Sequence, residues 1–347
     1  MSTLNFLGTQ LPIIQAPMAG VQGHALAAAV CNAGGLGSIP AAMLSLDALR
    51  NELTQLTALT DKPYNVNFFC HTPPAPDAAR DAVWQQALQP FYAELGLSLA
   101  DIVPSPGRAP FSAEAADVLE AFKPAVVSFH FGLPSPALLA RVKAWGSLVL
   151  ASATTVDEAL WLQANGVDAI IAQGLEAGGH RGIFLSDDLS TQVGTMALLP
   201  QIVQAVTVPV IAAGGIADTD GVAAAMALGA SAVQIGTAYM CCPESTTSAL
   251  HRAVLQSPAA RHTTLTSLFT GRPARGIVNR LMRELGPLNP AAPAFPMATG
   301  AIAPLRARAE SQGSTDFSPL WSGQNASQCR NVPAAELTRA LAEGLAR

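Results

Sequence analysis

Four stretches of this 347-residue chain combine residue types and spacings that could do chemistry. The first is Val208-Pro209-Val210-Ile211-Ala212-Ala213-Gly214-Gly215-Ile216, a buried-strand pattern ending in two glycines before a helix. Gly214 and Gly215 let backbone approach a ligand closely, and free N–H groups at the helix start favour an anion. The second is Ala232-Val233-Gln234-Ile235-Gly236-Thr237, another apolar strand with Gly-Thr at its carboxyl end. Two such strand ends late in a chain are how many barrels hold a phosphate, although each alone also reads as a tight turn with no ligand. The third is Gln173-Gly174-Leu175-Glu176-Ala177-Gly178-Gly179-His180-Arg181-Gly182. Its glycines can wrap a flat ligand, and an imidazole titrating near neutrality can serve as a base or steady a developing anion. Arg181 and Glu176 could equally form a structural ion pair. The fourth is Asn65-Val66-Asn67-Phe68-Phe69, whose period of two puts both amides on one side of a strand. Inward amides need partners, and a heterocycle such as a flavin would supply them.

Two weaker features join these. Gln15-Ala16-Pro17-Met18-Ala19-Gly20 ends a first strand in a small-residue turn that could lie against a ring face. His130, in Ser128-Phe129-His130-Phe131-Gly132, is either a pocket residue beside Phe131 or a buried histidine held by backbone. His24, His71, His251 and His262 have no comparable setting.

The elements that must position these residues alternate along the chain. Strands are expected at 13–18, 36–40, 64–69, 125–131, 148–153, 169–173, 208–213 and 232–236. Their near-continuous apolar character suits a parallel sheet covered on both faces. Helices are expected at 24–33, 47–57, 136–145, 156–165, 197–206 and 218–228. Asp157 and Asp218 stand near helix starts, and Gly166 and Gly229 just past helix ends. Eight strands favour a closed α/β barrel, the (β/α)₈ TIM barrel, over a doubly wound sheet. Residues 71–122 form an insertion between the third and fourth strands, with helices at 78–88 and 113–122. The barrel then spans residues 1–242. Residues 243–347 are a Pro-, Gly- and Arg-rich extension expected to pack over its mouth as a smaller cap and to end in a helix from Pro333.

Composition excludes several classes. Half of the residues are apolar and 12% are charged, so the chain can bury a large core. A net charge of −5 and the absence of any Lys/Arg run argue against nucleic acid. No apolar run reaches 18 residues, and no secretory pattern opens the chain, so a cytoplasmic protein without a membrane span is expected. Five cysteines without a C-x-x-C pair read as reduced thiols, with no metal site. The oligomeric state is left open, a homo-oligomer included.

Taken together, Gln15–Gly20, Asn65–Phe69, Ser128–Gly132, Gln173–Gly182, Ala212–Ile216 and Gln234–Thr237 resemble the nitronate monooxygenase family, class I. Gly271–Gly276 and Leu320–Gln324 extend the likeness over nearly the whole chain. The glycine pairs are shared by many flavin barrels; the His180 loop with Ser128–Gly132 is more specific. The resemblance implies non-covalent FMN, with Asn67 and Gln173 holding the isoalloxazine and Gly178 and Gly179 lining it. Gly214, Gly215, Gln234, Ile235, Gly236 and Thr237 would surround the phosphate, and Met18 would pack near the ring. It implies that His180 orients a nitronate or takes the α-proton of a neutral nitroalkane. One electron would pass from the nitronate, such as propionate-3-nitronate, to the flavin, and the semiquinone would reduce O₂ to give a carbonyl compound and nitrite. The family's pocket carries aromatic residues, often tyrosine, from the C-terminal segment. This chain offers Phe295-Pro296-Met297 and no tyrosine after Tyr239, so a reshaped pocket is expected. The rival readings are an NAD(P)H-dependent quinone or enoyl-ACP reductase on the same barrel, a non-catalytic flavin-binding barrel, and a colourless barrel for a phosphorylated sugar-like substrate.

Overall fold

A computed structural model describes residues 6–103 and 107–346. Its elements run β1 Ile13–Gln15, α1 His24–Asn32, β2 Gly37–Pro40, α2 Leu46–Leu59, β3 Tyr64–Phe69, α3 Ala78–Glu94, α4 Ala113–Phe122, β4 Val126–His130, α5 Pro136–Ala144, β5 Leu148–Ala153, α6 Val156–Ala164 and β6 Ala169–Gln173. They continue with β7 Gly179–His180, α7 Thr195–Ala205, β8 Val210–Ala213, α8 Thr219–Ala227, β9 Ala232–Ile235, α9 Ala249–Leu255, β10 Thr263–Thr266, β11 Ala274–Ile277, α10 Arg280–Leu285, α11 Ala298–Ser311 and α12 Ala334–Ala342.

Eight parallel strands pair in the order β1-β9-β8-β6-β5-β4-β3-β2. A parallel bridge between Ile14 and Leu36 joins the two ends. There the Leu36 amide donates to the Ile13 carbonyl at 2.8 Å and the Gln15 amide to the Leu36 carbonyl at 2.9 Å. The sheet is therefore closed, and the fold is a TIM barrel. Ile14, Leu36, Val126, Leu150, Ile171 and Ile211 fill its interior. A larger apolar layer between strands and helices includes Ile13, Val66, Val127, Ile170 and Val233. Strands buried on both sides explain why β5 and β6 read as near-continuous apolar runs.

Helix starts are set by local chemistry. Asp218 accepts from the Gly221 amide to open α8. At α6 the cap is Thr155, which accepts from the Glu158 amide, and Asp157 lies in the first turn. Gly166 and Gly229 both adopt positive φ just beyond their helices.

Helix α4 contributes Ala115, Ala116, Val118 and Leu119 to the barrel's helical layer. Helix α3 turns away instead. Its Trp84, Phe91 and Tyr92 join Leu268, Phe269, Leu281, Ile302, Leu305 and Phe317 in a second core. The Tyr92 hydroxyl donates to the Ala301 carbonyl at 2.7 Å across this junction. Strands β10, β11 and β7 form a small antiparallel sheet that ties this second layer to the loop after β6. Helix α12 returns to the barrel, where Ala334, Leu337 and Leu341 pack into its helical layer. Among the described residues no helix is long and apolar enough to cross a membrane.

Candidate active site

The carboxyl ends of the barrel strands open into a cavity of about 310 Å³, roofed by β7, β11 and the 319–325 segment. Its wall includes Met18, Asn67, His130, Gln173, Gly178, Gly179, His180, Gly214, Gly215, Gln234, Gly236 and Thr237. Two residues expected there do not line it. Ile235 is buried in the barrel core, because alternation along β9 turns its side chain outward from the lumen. Phe131 stands one layer back, with its ring 6.0 Å from that of His180 and the Arg272 guanidinium 4.1 Å over its face.

His180 is fixed from several directions. As part of β7 it pairs with Ala274 of β11. Its carbonyl accepts from Gln173 Nε2 at 2.9 Å and from His130 Nε2 at 3.1 Å. Its ring nitrogen Nε2 lies 2.9 Å from Thr270 Oγ1. The ring is packed edgewise by Phe295 and tilted against Trp321, at 5.3 and 5.6 Å. Nδ1 has no hydrogen-bond partner among the described residues. Burial, and then the charge of Arg108 with those of His130, Arg272 and His71, hold this imidazole well below the usual histidine range. It is a neutral group at pH 7.

His130 is also buried and pushed down to about 3, by burial above all. Nε2 faces a carbonyl, so it carries the hydrogen, and Nδ1 faces Ser152 Oγ at 3.0 Å. It holds the His180 backbone. Gln173 does the same from β6: its Oε1 accepts from the Gly182 amide at 2.7 Å. Both of its polar atoms thus bond the loop that carries His180.

Asn67 donates through Nδ2 to Ser128 Oγ at 2.9 Å, and its carbonyl oxygen has no hydrogen-bond partner among the described residues. Asn65, two residues earlier, donates to Ser38 Oγ deeper in the barrel. Gln234 Oε1 is buried without a partner. A side chain on Gly178 would reach 2.5 Å from the Gly323 amide nitrogen, so this glycine is required by the close approach of the 322–323 segment. Gly323 N donates to Thr237 Oγ1 at 2.9 Å, and Asn325 Nδ2 to the Gly215 carbonyl at 3.1 Å. These bonds tie the C-terminal segment to both glycine-bearing strand ends.

Arg181 and Glu176 do not pair with each other. Arg181 is fully buried and donates to the Gln173 and Gly174 carbonyls and to Gln192. Glu176 accepts from the Thr195 amide and hydroxyl at the start of α7. Both shape the loop.

Sequence patterns missed Arg108, Thr270 and two histidines. Arg108 lines the cavity, its guanidinium 5.6 Å from the Phe295 ring centre, with no carboxylate partner among the described residues. His251 also lines the cavity. His71 is enclosed by Phe69, Phe131 and Phe295. Arg108, Thr270 and His251 come from outside the strand-end motifs, whereas His71 lies two residues past the end of β3. Phe295 packs on the His180 ring but does not line the cavity; the aromatic residue of the C-terminal segment that does is Trp321. Among the described residues no aspartate or glutamate lines the cavity, whereas Arg108, Arg306, His130, His180 and His251 do.

Known proteins share this arrangement. The nitronate monooxygenase family profile matches residues 2–344. A nitronate monooxygenase from Paraburkholderia phytofirmans is 46% identical, over 97% of this chain and 93% of its own. One from Pseudomonas aeruginosa is 44% identical, over 98% and 97%. Among solved structures, nitroalkane oxidase from Streptomyces ansochromogenes superposes with a TM-score of 0.89 at 41% identity, covering 97% and 96% of the two chains. FabK from Thermotoga maritima gives 0.73 at 27%, covering 99% and 95%. A match along the whole chain, carried on a closed barrel, leads to one conclusion: this chain belongs to the nitronate monooxygenase family, a family of oxygenases.

Proposed function

We propose that the protein is an FMN-dependent nitronate monooxygenase that converts alkyl nitronates, propionate-3-nitronate among them, with O₂ to a carbonyl compound and nitrite. The observation that carries this reading is the cavity wall, which offers cations, histidines and glycine-rich backbone but no carboxylate. Such a wall suits a flavin phosphate and an anionic substrate together. The residues fit the cofactor. The free Asn67 carbonyl oxygen and the orphaned Gln234 Oε1 are acceptors awaiting ring or ribityl donors. Backbone at Gly214, Gly215, Gly236 and Thr237 would hold the phosphate, and Met18 with Gly179 would bound the ring. FMN held by these residues would supply the one-electron chemistry between the nitronate and O₂.

The chain's own groups bind, orient and move a proton. His180 is neutral and desolvated, so it is ready to accept a proton from the α-carbon of a neutral nitroalkane, whose electron pair then remains on the nitronate. Toward a nitronate it acts by position and by donating charge stabilisation. Phe295 and Trp321 keep water away from it. In this reading residues 1–242 supply the cofactor-binding barrel, and the 243–325 stretch, with α3, supplies the roof.

The test is anaerobic mixing of the purified, yellow protein with propionate-3-nitronate. Changes in flavin absorbance followed by O₂ consumption on aeration are expected. An unchanged spectrum would overturn the function, and rapid bleaching by NADH instead would mark a reductase. His180→Asn should keep the flavin and lose roughly 10²–10⁴-fold on a neutral nitroalkane, the usual range for a general base.

A further inference from the structure

The imidazole of His180 offers two nitrogens, and only one can be the base. The roof decides which. Thr270 lies in the turn between β10 and β11, is 2% exposed, and places Oγ1 2.9 Å from His180 Nε2. The same oxygen lies 3.4 Å from the Arg272 carbonyl, which only accepts. A hydroxyl has one proton; directed at that carbonyl, it leaves the Thr270 lone pair to accept a hydrogen from Nε2. With Nε2 protonated, the neutral ring has its lone pair on Nδ1, the nitrogen without a partner among the described residues.

The turn that carries Thr270 has little freedom to move. Gly271 adopts φ +88°, and a side chain there would reach 2.1 Å from the Pro293 carbonyl oxygen. Its amide donates to the Ser267 carbonyl at 2.7 Å. Thr299 Oγ1 donates to the Phe269 carbonyl at 3.0 Å, pinning the turn to α11. The His180 backbone is fixed by Gln173, His130 and β11, so ring and hydroxyl are both held in place.

We infer that Thr270 is a positioning residue that locks His180 in the Nε2–H tautomer and so makes Nδ1 the atom that accepts the α-proton of a neutral nitroalkane. The step forms an Nδ1–H bond, breaks the substrate C–H bond and leaves the electron pair on the nitronate. It rests on the reading of His180 as a base. Thr270 touches no reacting atom and acts only through the imidazole. A positioned second group of this kind is how triad-like sites select a tautomer.

The experiment compares Thr270→Val and Thr270→Ser with the native holoenzyme and with His180→Asn. Thr270→Val keeps the shape and deletes the hydroxyl. It should hold flavin with native stoichiometry and lose about 10- to 100-fold in kcat/KM on a neutral nitroalkane, part of what a positioned base supplies. Turnover of a preformed nitronate should change less than about threefold, since that substrate has no α-proton to lose. Thr270→Ser should restore most of the activity. In ¹⁵N-histidine-labelled protein, the ring resonances missing from His180→Asn should report a protonated Nε2 and a bare Nδ1, and Thr270→Val should mix the tautomers. Nitroalkane turnover unchanged in Thr270→Val but lost in His180→Asn would overturn the role of Thr270 alone. Unchanged turnover in both would remove His180 as the base. Equal losses on nitroalkane and nitronate, or a reversed tautomer in the native protein, would also overturn the assignment.

Discussion

Gln173 and His180 are joined by a bond between a strand end and the loop it launches: Gln173 Nε2 donates to the His180 carbonyl at 2.9 Å while its Oε1 takes the Gly182 amide. One side chain thus braces the loop on both sides of the imidazole. The amide expected from sequence to meet the ring lines the cavity and also braces the loop that carries His180.

Replacing this strut has a specific signature. Gln173→Leu leaves the buried Gly182 amide without a partner, at roughly 1–3 kcal/mol, and leaves the His180 carbonyl with His130 as its remaining donor. We expect the protein to fold with a lowered melting temperature and to lose at least about tenfold in kcat on both nitroalkane and nitronate, since a misplaced loop harms orientation for either. Steady-state kinetics on the two substrates check this. A variant with native kcat would show that the loop holds itself.

The pH profile follows from the charges around His180. Burial lowers its pKa, and Arg108 is the largest of the charges that lower it further. The base form therefore persists below the ordinary histidine value, and the acid limb of kcat/KM for a neutral nitroalkane should lie below pH 6.5. Arg108→Met removes one cation, so His180 should bind its proton more readily and the limb should move to higher pH. A limb that stays put, or moves down, would count against the electrostatic account.

Stability should also fall on the acid side. His130 is held down to about 3, and His71 and His251 to about 4, chiefly by burial. Each is neutral in the folded chain at pH values where the unfolded chain, with a histidine pKa near 6.5, is already protonated. The unfolded state then binds more protons, so stability is complete above about pH 6.5 and declines as pH falls towards the folded values. For a buried histidine such as His251 the slope approaches about 1.4 kcal/mol per pH unit between the folded and unfolded values. Melting temperatures measured between pH 7 and 5 should drop. A flat curve over that range, above where carboxylates titrate, would refute the burial of these rings.

Much of the barrel was legible because its strands are covered on both faces. Tyr64–Phe69, Leu148–Ala153 and Ala169–Gln173 match their expected strands residue for residue. The first strand is shorter than its run, ending at Gln15 two residues before Pro17, which has no N–H to give a ladder. Helix α3 outlasts its expected end at Leu88 and passes through Pro90 to Glu94. Gln86, whose carbonyl loses its helical partner there, is exposed to water, and burial of Phe91 and Tyr92 rewards continuation. The roof sheet was not legible. Its strands are two to four residues long, too short for a period, and β7 is Gly179-His180 itself. Thr270 and Arg108 escaped for the same reason, since neither sits on a patterned element and only long-range packing gives them a partner. The Asn67 and His180 positions were found because local glycine and amide patterns survive without tertiary context.

Helix α12 has a consequence for how the molecule assembles. Its Thr338 hydroxyl meets Tyr239 at 2.9 Å, and its apolar face closes the helical layer beside α1. The final stave of the barrel is therefore threaded after the whole roof has been made. Contacts between residues some 300 positions apart must form before the ring is sealed, which slows closure and leaves α1 uncovered while the chain emerges. Cutting the chain after β9 would not release a tidy barrel; it would leave one with a missing plank and a bare apolar seam.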